Sequence, residues 1–100
     1  MAYEPGALEE TLAAAAGGDA ELFAELRTSY IEGVMRQADL LQRSRCDGNW
    51  HVAAMRLKGL AASFHCPRLL DLAEEALDAA PGDPAVVRRL KSYVSDFSAG

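Results

Sequence analysis

The sequence predicts an all-α fold, and three features of the 100-residue chain lead to this expectation. Apolar residues recur at steps of three and four, the spacing that gives an α-helix one apolar face. No segment alternates apolar and polar residues as a half-buried strand does. Glycine, proline and polar residues cluster at 4–6, 17–19, 46–49, 66–67 and 81–84, and these clusters separate five stretches of helical pattern.

The first two helices are delimited by glycine and aspartate. A short helix is predicted over 6–16, because Gly17 and Gly18 follow it and glycine commonly ends a helix. Asp19 is a suitable N-cap for a long second helix over 20–45. The apolar stripe of the second helix consists of Leu22, Phe23, Leu26, Tyr30, Val34, Ala38 and Leu41.

Three further helices follow in the second half of the chain. The third is predicted over 50–65, with Asp47 or Asn49 as its N-cap. Pro67 fits the first turn of a fourth helix over 67–80, since proline needs no backbone N–H donor there. The apolar stripe of the fourth helix consists of Leu69, Leu70, Leu72, Ala73, Ala76 and Leu77.

A fifth helix is predicted over 84–98, with Asp83 as N-cap and Pro84 as first helical residue. Its apolar side consists of Val86, Val87, Leu90, Val94 and Phe97. Short connections favour antiparallel neighbours, so the four longer helices predict an antiparallel four-helix bundle, with the short first helix capping one end. The chain length corresponds to a single domain, residues 1–100.

Composition and charge exclude several classes of function. The net charge is −5 and no basic run occurs, which argues against nucleic acid or an anionic membrane surface as partner. No apolar stretch approaches the ~20 residues of a membrane span, and the start "MAYEPGALEE" lacks a signal-peptide pattern. We therefore expect a cytoplasmic protein. Cys46 and Cys66 are expected to be free thiols, although the sequence leaves a disulfide between them open.

No enzyme active site is predicted. The serines lack a base in a recognisable pattern, and the chain has no glycine-rich phosphate loop and no metal-ligand spacing. The acidic pairs Glu9–Glu10 and Glu74–Glu75 are typical of solvated helix faces. We accordingly expect neither a cofactor nor a metal.

The predicted third helix has an unusual outer face. At about 100° per residue, its core side consists of Trp50, Ala53, Ala54, Leu57, Leu60, Ala61 and Phe64. The opposite side consists of His51, Met55, Lys58, Gly59 and Ala62. Gly59 follows Met55 by one turn and leaves room for an approaching molecule, while Lys58 supplies a cation beside that space. This arrangement describes a docking point for a small anion or for an anionic pocket of another protein, whereas periodicity alone favours a tolerated surface glycine beside an ordinary solvated lysine.

Two consecutive segments resemble the histidine-containing phosphotransfer (HPt) domain family. They are "AAMRLKGLAASF" at 53–64 and "CPRLLDLAEEAL" at 66–77. The hallmark of the family reads approximately His-x-Leu-Lys-Gly, then small residues, an apolar residue, often a glycine, and a leucine-rich helix with acidic residues. The matching residues are Leu57, Lys58 and Gly59, then Ala61, Ala62, Ser63 and Phe64, then Leu69, Leu72, Glu74, Glu75 and Leu77. The resemblance implies an antiparallel four-helix bundle of about this length.

The chain departs from the family pattern at two positions. Met55 stands where the family has the histidine that carries the phosphoryl group, and His65 stands where it usually has glycine. A thioether has no nucleophilic nitrogen and forms no phosphoramidate. The resemblance therefore implies a bacterial two-component phosphorelay module that docks receiver domains of response regulators or hybrid histidine kinases, without transferring phosphate itself.

The sequence leaves two alternatives open. Phosphotransfer through His51 is one, but this residue lies a full turn before Met55 and so is displaced from Lys58. The other is a non-signalling helical interaction or dimerisation bundle, for which Ile31 and Met35 on the second helix are candidates for an exposed apolar patch. We expect a monomer.

Overall fold

The computed structural model describes residues 6–99, and this part of the chain is built from five α-helices without a β-strand. The helices are α1 (Ala7–Ala16), α2 (Ala20–Arg43), α3 (Asp47–Ser63), α4 (Pro67–Asp78) and α5 (Pro84–Ala99). The prediction of an all-α fold is confirmed. Residues 1–5 and 100 of the predicted domain lie outside the described residues.

Three of the predicted helix ends are formed by the capping and helix-terminating residues that the sequence indicated. The Asp19 carboxylate accepts hydrogen bonds from the backbone N–H groups of Glu21 and Leu22, at 3.0 and 3.1 Å. α1 ends at Gly17, whose φ of 60° lies in the left-handed region that glycine adopts without a steric penalty. Pro67 occupies the first turn of α4. These local signals therefore fix where α1 stops and where α2 and α4 begin.

The predicted N-cap of the third helix was wrong. Cys46 occupies the N-cap position with extended backbone, and it makes no side-chain capping bond. Asp47 and Asn49 are already helical residues, so α3 begins three residues earlier than predicted. In the first turn, the Asp47 carboxylate instead lies near the positive end of the helix dipole.

Three helices end earlier than the sequence predicts. α2 ends at Arg43 instead of residue 45, and Ser44, which follows it, has extended backbone. α3 ends at Ser63 and α4 at Asp78, each two residues before the expected end. Helix ends are set by backbone conformations that apolar periodicity does not reveal.

The helices α2 to α5 form a closed ring of contacts: α2 packs against α3, α3 against α4, α4 against α5, and α5 against α2. α1 packs against α2 and contributes Leu8 and Leu12 to the core. The largest fully buried side chains are Tyr30, Leu12, Leu41, Leu57, Leu69, Leu90, Val34 and Val86. No helix in the described part of the chain has the length and apolarity needed to cross a bilayer.

The buried positions correct two expectations for α2. Leu22, predicted to belong to the apolar stripe, is exposed near the start of the helix. Ile31, predicted to lie with Met35 on an exposed apolar patch, is buried in the core, whereas Met35 is exposed. The patch suggested for a dimerisation bundle therefore does not exist in that form.

Polar side chains join the helices inside the bundle. The hydroxyl groups of Tyr30 on α2 and Tyr93 on α5 are 2.7 Å apart, and the Cys66 Sγ lies 3.2 Å from the Tyr93 hydroxyl. The Trp50 indole N–H donates to the carbonyl oxygen of Ala76 at 2.8 Å, which links α3 to the last turn of α4. Burial, and next the hydrogen bond with Tyr93, raises the pKa of Tyr30 well above its ordinary value.

Candidate docking face on the third helix

The outer face of α3 is oriented as the helical wheel predicts. Trp50, Ala53, Ala54, Leu57 and Ala61 are buried on the inner side. The five residues on the outer side, which we call the docking face, are His51, Met55, Lys58, Gly59 and Ala62. All of them are exposed except Lys58, which is partly buried. The face is thus available to another molecule along about three turns of the helix.

Met55 and Gly59 form the centre of the docking face. The Met55 side chain is 45 % exposed, although methionine is a large apolar residue. Apart from its chain neighbours and the nearby backbone of α3 itself, no atom of the described residues lies within 4 Å of the position that a Cβ atom of Gly59 would occupy. The glycine is therefore not required by packing inside the protein, and it leaves open space one turn after Met55.

Lys58 borders this centre on the side of α4. Its Nζ lies 4.0 Å from Glu74 Oε2, and both side chains are about half exposed. An exposed ion pair of this kind contributes about 0–1 kcal/mol to stability, so a partner's anionic group can compete with Glu74 for the ammonium group. The sequence identified Lys58 and Glu74 in separate helices, but their pairing follows only from the packing of α3 against α4.

The opposite border of the face is a groove toward α2, and the sequence indicated the α3 wall of this groove but not the wall formed by α2. Val52 and Arg56 lie here, and both are exposed. They line a groove of about 410 Å³ together with Leu40 and Arg43 of α2. The groove as a whole has no signature in the sequence, because its two walls are separated along the chain and meet only when α2 packs against α3.

His65 occupies a special backbone position immediately beyond α3. Its φ is 54°, in the left-handed region that a residue with a side chain rarely adopts. The backbone N–H of Cys66 donates to Ala61 O at 2.8 Å and that of His65 to Ala62 O at 3.4 Å, as in a Schellman C-cap. Glycine is favoured at such a position, which gives a physical reason for a glycine there in HPt domains.

The docking face holds no nucleophile suited to phosphoryl transfer at its centre, because Met55 presents a thioether. Within residues 6–99, no group of three histidine, cysteine, aspartate or glutamate side chains is arranged to hold a metal ion. Cys46 is exposed and Cys66 is buried, and both are free thiols, as predicted.

Comparisons of the chain with protein-family models, with curated proteins and with solved structures find no match. The likeness to HPt domains therefore rests on the residues of α3 and α4 described above.

Proposed function

We propose that this chain is an HPt-like signalling module that docks receiver domains of two-component systems without accepting a phosphoryl group. Its helices α2 to α5 would form the antiparallel four-helix bundle of that family. The observation that carries the proposal is the centre of the docking face, where an exposed Met55 is followed one turn later by the open space over Gly59. Such a module acts as an adaptor or as a sequestering partner for a response regulator.

Three further observations support the proposal. Leu57, Lys58 and Gly59 stand in the order of the family motif, with the leucine buried and the glycine exposed. The ring of contacts among α2 to α5 is compatible with a four-helix bundle. His65 has the left-handed backbone that explains a glycine at this position of the motif.

Binding is tested with purified receiver domains from the source organism, by isothermal titration calorimetry against the wild-type chain. Lys58→Gln removes the cation, whereas Glu74→Gln releases it from its intramolecular partner. If Lys58 contacts the receiver domain, the first variant binds more weakly and the second more tightly. Gly59→Gln fills the open space and should weaken binding by at least about tenfold.

Lys91→Gln is the matched control, because Lys91 is an exposed lysine on α5. Its affinity should equal that of the wild type. Receiver domains that bind all variants equally would contradict the docking face, and a panel in which no receiver domain binds would contradict the proposed function.

The missing phosphoacceptor is tested with Met55→His. In a receiver domain, phosphate is held as an aspartyl phosphate; transfer breaks that acyl-phosphate P–O bond and forms a P–N bond to the imidazole, which loses its proton to solvent. We expect the variant, but not the wild type, to acquire an acid-labile, base-stable label from a phosphorylated receiver domain. A label on the wild type that disappears in His51→Ala would establish the alternative, transfer through His51.

A second candidate function is a non-signalling interaction bundle that dimerises through exposed apolar side chains. Val52 and Met55 on α3 favour this candidate, since both are large apolar residues exposed to solvent. Sedimentation velocity over a wide concentration range separates the two functions. A tight dimer that Met55→Glu dissociates would favour the interaction bundle, whereas a monomer at all concentrations agrees with the receiver-docking module.

A further inference from the structure

The groove between α2 and α3 combines apolar and cationic side chains in a way that the proposed function does not use. We call it the α2–α3 groove; its volume is about 410 Å³. It is lined by Leu40, Arg43 and Ser44 of α2 and by Asn49, Val52, Ala53 and Arg56 of α3. None of these residues belongs to the docking face, so the inference does not rest on the proposed function.

Apolar side chains stand on both walls of the groove. Leu40 is 37 % exposed and Val52 is 46 % exposed, and both belong to the small set of large apolar side chains that the described residues leave in contact with water. They come from different helices and line the same groove, so we call this pair the apolar strip of the groove. Covering this strip removes apolar surface from water, which favours a partner with an apolar stripe of its own.

The polar groups of the groove are mainly hydrogen-bond donors. The guanidinium groups of Arg43 and Arg56 both line it. Arg36, one turn before Leu40, does not line the groove; its guanidinium lies about 4.0 Å from where a Cβ of Gly33 would be. Arg56 makes no ion pair with a residue in the described part of the chain. Such donors match carboxylates, which an arginine binds with two parallel hydrogen bonds.

Acidic side chains on the same surface offset this charge only in part. Asp39 lies 2.9 Å from Arg43, in an ion pair whose two side chains are more than half exposed. Glu32, one turn before Arg36, is the other carboxylate on this side of α2. Exposed ion pairs are weak, so the carboxylate of a partner can displace Asp39. The groove is thus a locally cationic strip on a chain whose net charge is −5.

We propose that the α2–α3 groove binds an acidic amphipathic helix of a partner protein. The apolar stripe of that helix packs on Leu40 and Val52, and carboxylates beside the stripe pair with Arg43 and Arg56. A groove between two packed helices runs along them and accepts the ridge of side chains on a third helix. Charge complementarity selects an acidic helix over a basic one.

The charges also argue against a second copy of this chain as occupant. A two-fold symmetric dimer through the groove would bring Arg43 and Arg56 of one copy against the same residues of the other. Like charges facing each other across an interface oppose association. A nucleic acid is disfavoured by the net charge of −5, which repels a polyanion.

The probe for the test is a fluorescein-labelled helical peptide of about 18 residues, with leucines at steps of three and four and glutamates beside them. A second peptide replaces every glutamate with lysine. Fluorescence anisotropy measures the binding of each peptide to the full chain. We expect the glutamate peptide to bind at least about tenfold more tightly than the lysine peptide, with an affinity that falls as salt rises.

Variants locate the binding site. Val52→Asp and Arg56→Glu should each weaken binding of the glutamate peptide by at least about tenfold, since both residues are exposed and neither change disturbs the core. Arg88→Glu, which inverts an exposed arginine on α5, is the matched control and should bind as the wild type does. Lys58→Gln should also leave peptide binding unchanged, which separates this groove from the docking face.

Several results would overturn the proposal. They are an absence of binding up to about 1 mM peptide, equal affinity for both peptides, or equal affinity of the wild type and Val52→Asp. A concentration-dependent dimer that Val52→Asp dissociates would identify a second copy of the chain as the occupant instead.

Discussion

At the residue scale, two positions near the end of α3 carry a residue that the local backbone conformation does not favour. His65 has a side chain where the backbone favours glycine, with φ of 54°. Gly59 lacks a side chain in a regular helix whose surroundings have room for one. His65 lowers the stability of the protein because a residue with a side chain is strained in the left-handed region. Gly59 lowers it because glycine loses more conformational freedom on folding than any other residue.

His65→Gly should therefore stabilise the protein by about 1 kcal/mol, because glycine enters the left-handed region without a steric penalty. The free energy of unfolding from urea titration measures this change. The same substitution at His51, an exposed residue inside α3, should lower stability by about 0.5 kcal/mol. Loss of stability in His65→Gly would show that the imidazole makes a compensating contribution.

Gly59→Ala is expected to raise the free energy of unfolding by about 0.5–1 kcal/mol, because alanine favours the helix and its methyl group meets no neighbour. Gly17→Ala is the contrasting control. It should destabilise the protein, since Gly17 has φ of 60°. If Gly59→Ala gains stability yet weakens receiver binding, the glycine is retained for a partner and not for the fold.

At the element scale, the helices differ in how their first turns are stabilised. α2 begins with an aspartate that satisfies two backbone N–H groups. α3 is preceded by the N-cap residue Cys46, whose side chain satisfies none of the N–H groups of the first turn. Because these groups have no partner within the helix, a capping side chain contributes directly to stability.

Asp19→Ala should accordingly lower stability by about 1 kcal/mol, whereas Asn49→Ala should change it by less than about 0.5 kcal/mol. Cys46→Ser adds a capping hydroxyl in the extended conformation that an N-cap requires, and should raise stability by about 0.5–1 kcal/mol. Thermal unfolding followed by circular dichroism measures all three variants. A cost for Asn49→Ala equal to that of Asp19→Ala would contradict the observed start of α3.

At the scale of the whole molecule, the buried hydroxyl pair of Tyr30 and Tyr93 joins α2 to α5, and the Cys66 thiol extends this network to the start of α4. Burial holds the Tyr30 phenol in its neutral form and raises its pKa above the ordinary value of 10.0. The folded state consequently binds this proton more tightly than the unfolded state. The resulting stabilisation is complete below pH 10 and is lost as the pH rises above it.

Tyr30→Phe removes that titrating group and one buried hydrogen bond. At neutral pH the variant should be less stable by about 0.5–1.5 kcal/mol. Above pH 10 the wild type loses stability through Tyr30 and the variant does not, so the difference between them should narrow. Urea unfolding at pH 7, 9 and 11 provides the comparison, and a difference that stays constant with pH would contradict a buried, neutral Tyr30.

Much of the fold could be predicted because its signals are local. The breaks at Gly17 and Pro67 and the capping residue Asp19 are evident in the sequence, and the periodicity of α3 correctly separated its buried side from its exposed side. The prediction failed where the cause was not local. Ile31 looked exposed by its spacing, yet it is buried in the core of the packed helices.

In the candidate site, too, the sequence predicted the features that depend on a single helix and not those that depend on two. Met55 and Gly59 could be assigned to the outer face because both positions depend only on the helical repeat of α3. The partner of Lys58 and the groove beside Val52 could not, since Glu74 and Leu40 lie on other helices. Pairing between helices depends on the rotation and offset of each helix in the packed state, which periodicity alone leaves open.

The sequence by itself determined that this protein is helical, where most of its helices start, and that one helix exposes a methionine and a glycine beside a lysine. These properties follow from backbone preferences and from the helical repeat, which act over a few residues. Only the tertiary structure decided that Lys58 is paired with Glu74, that Tyr30 is buried against Tyr93, and that side chains of α2 and α3 line one groove. These features join residues far apart in the chain, and burial of the shared apolar core brings them together.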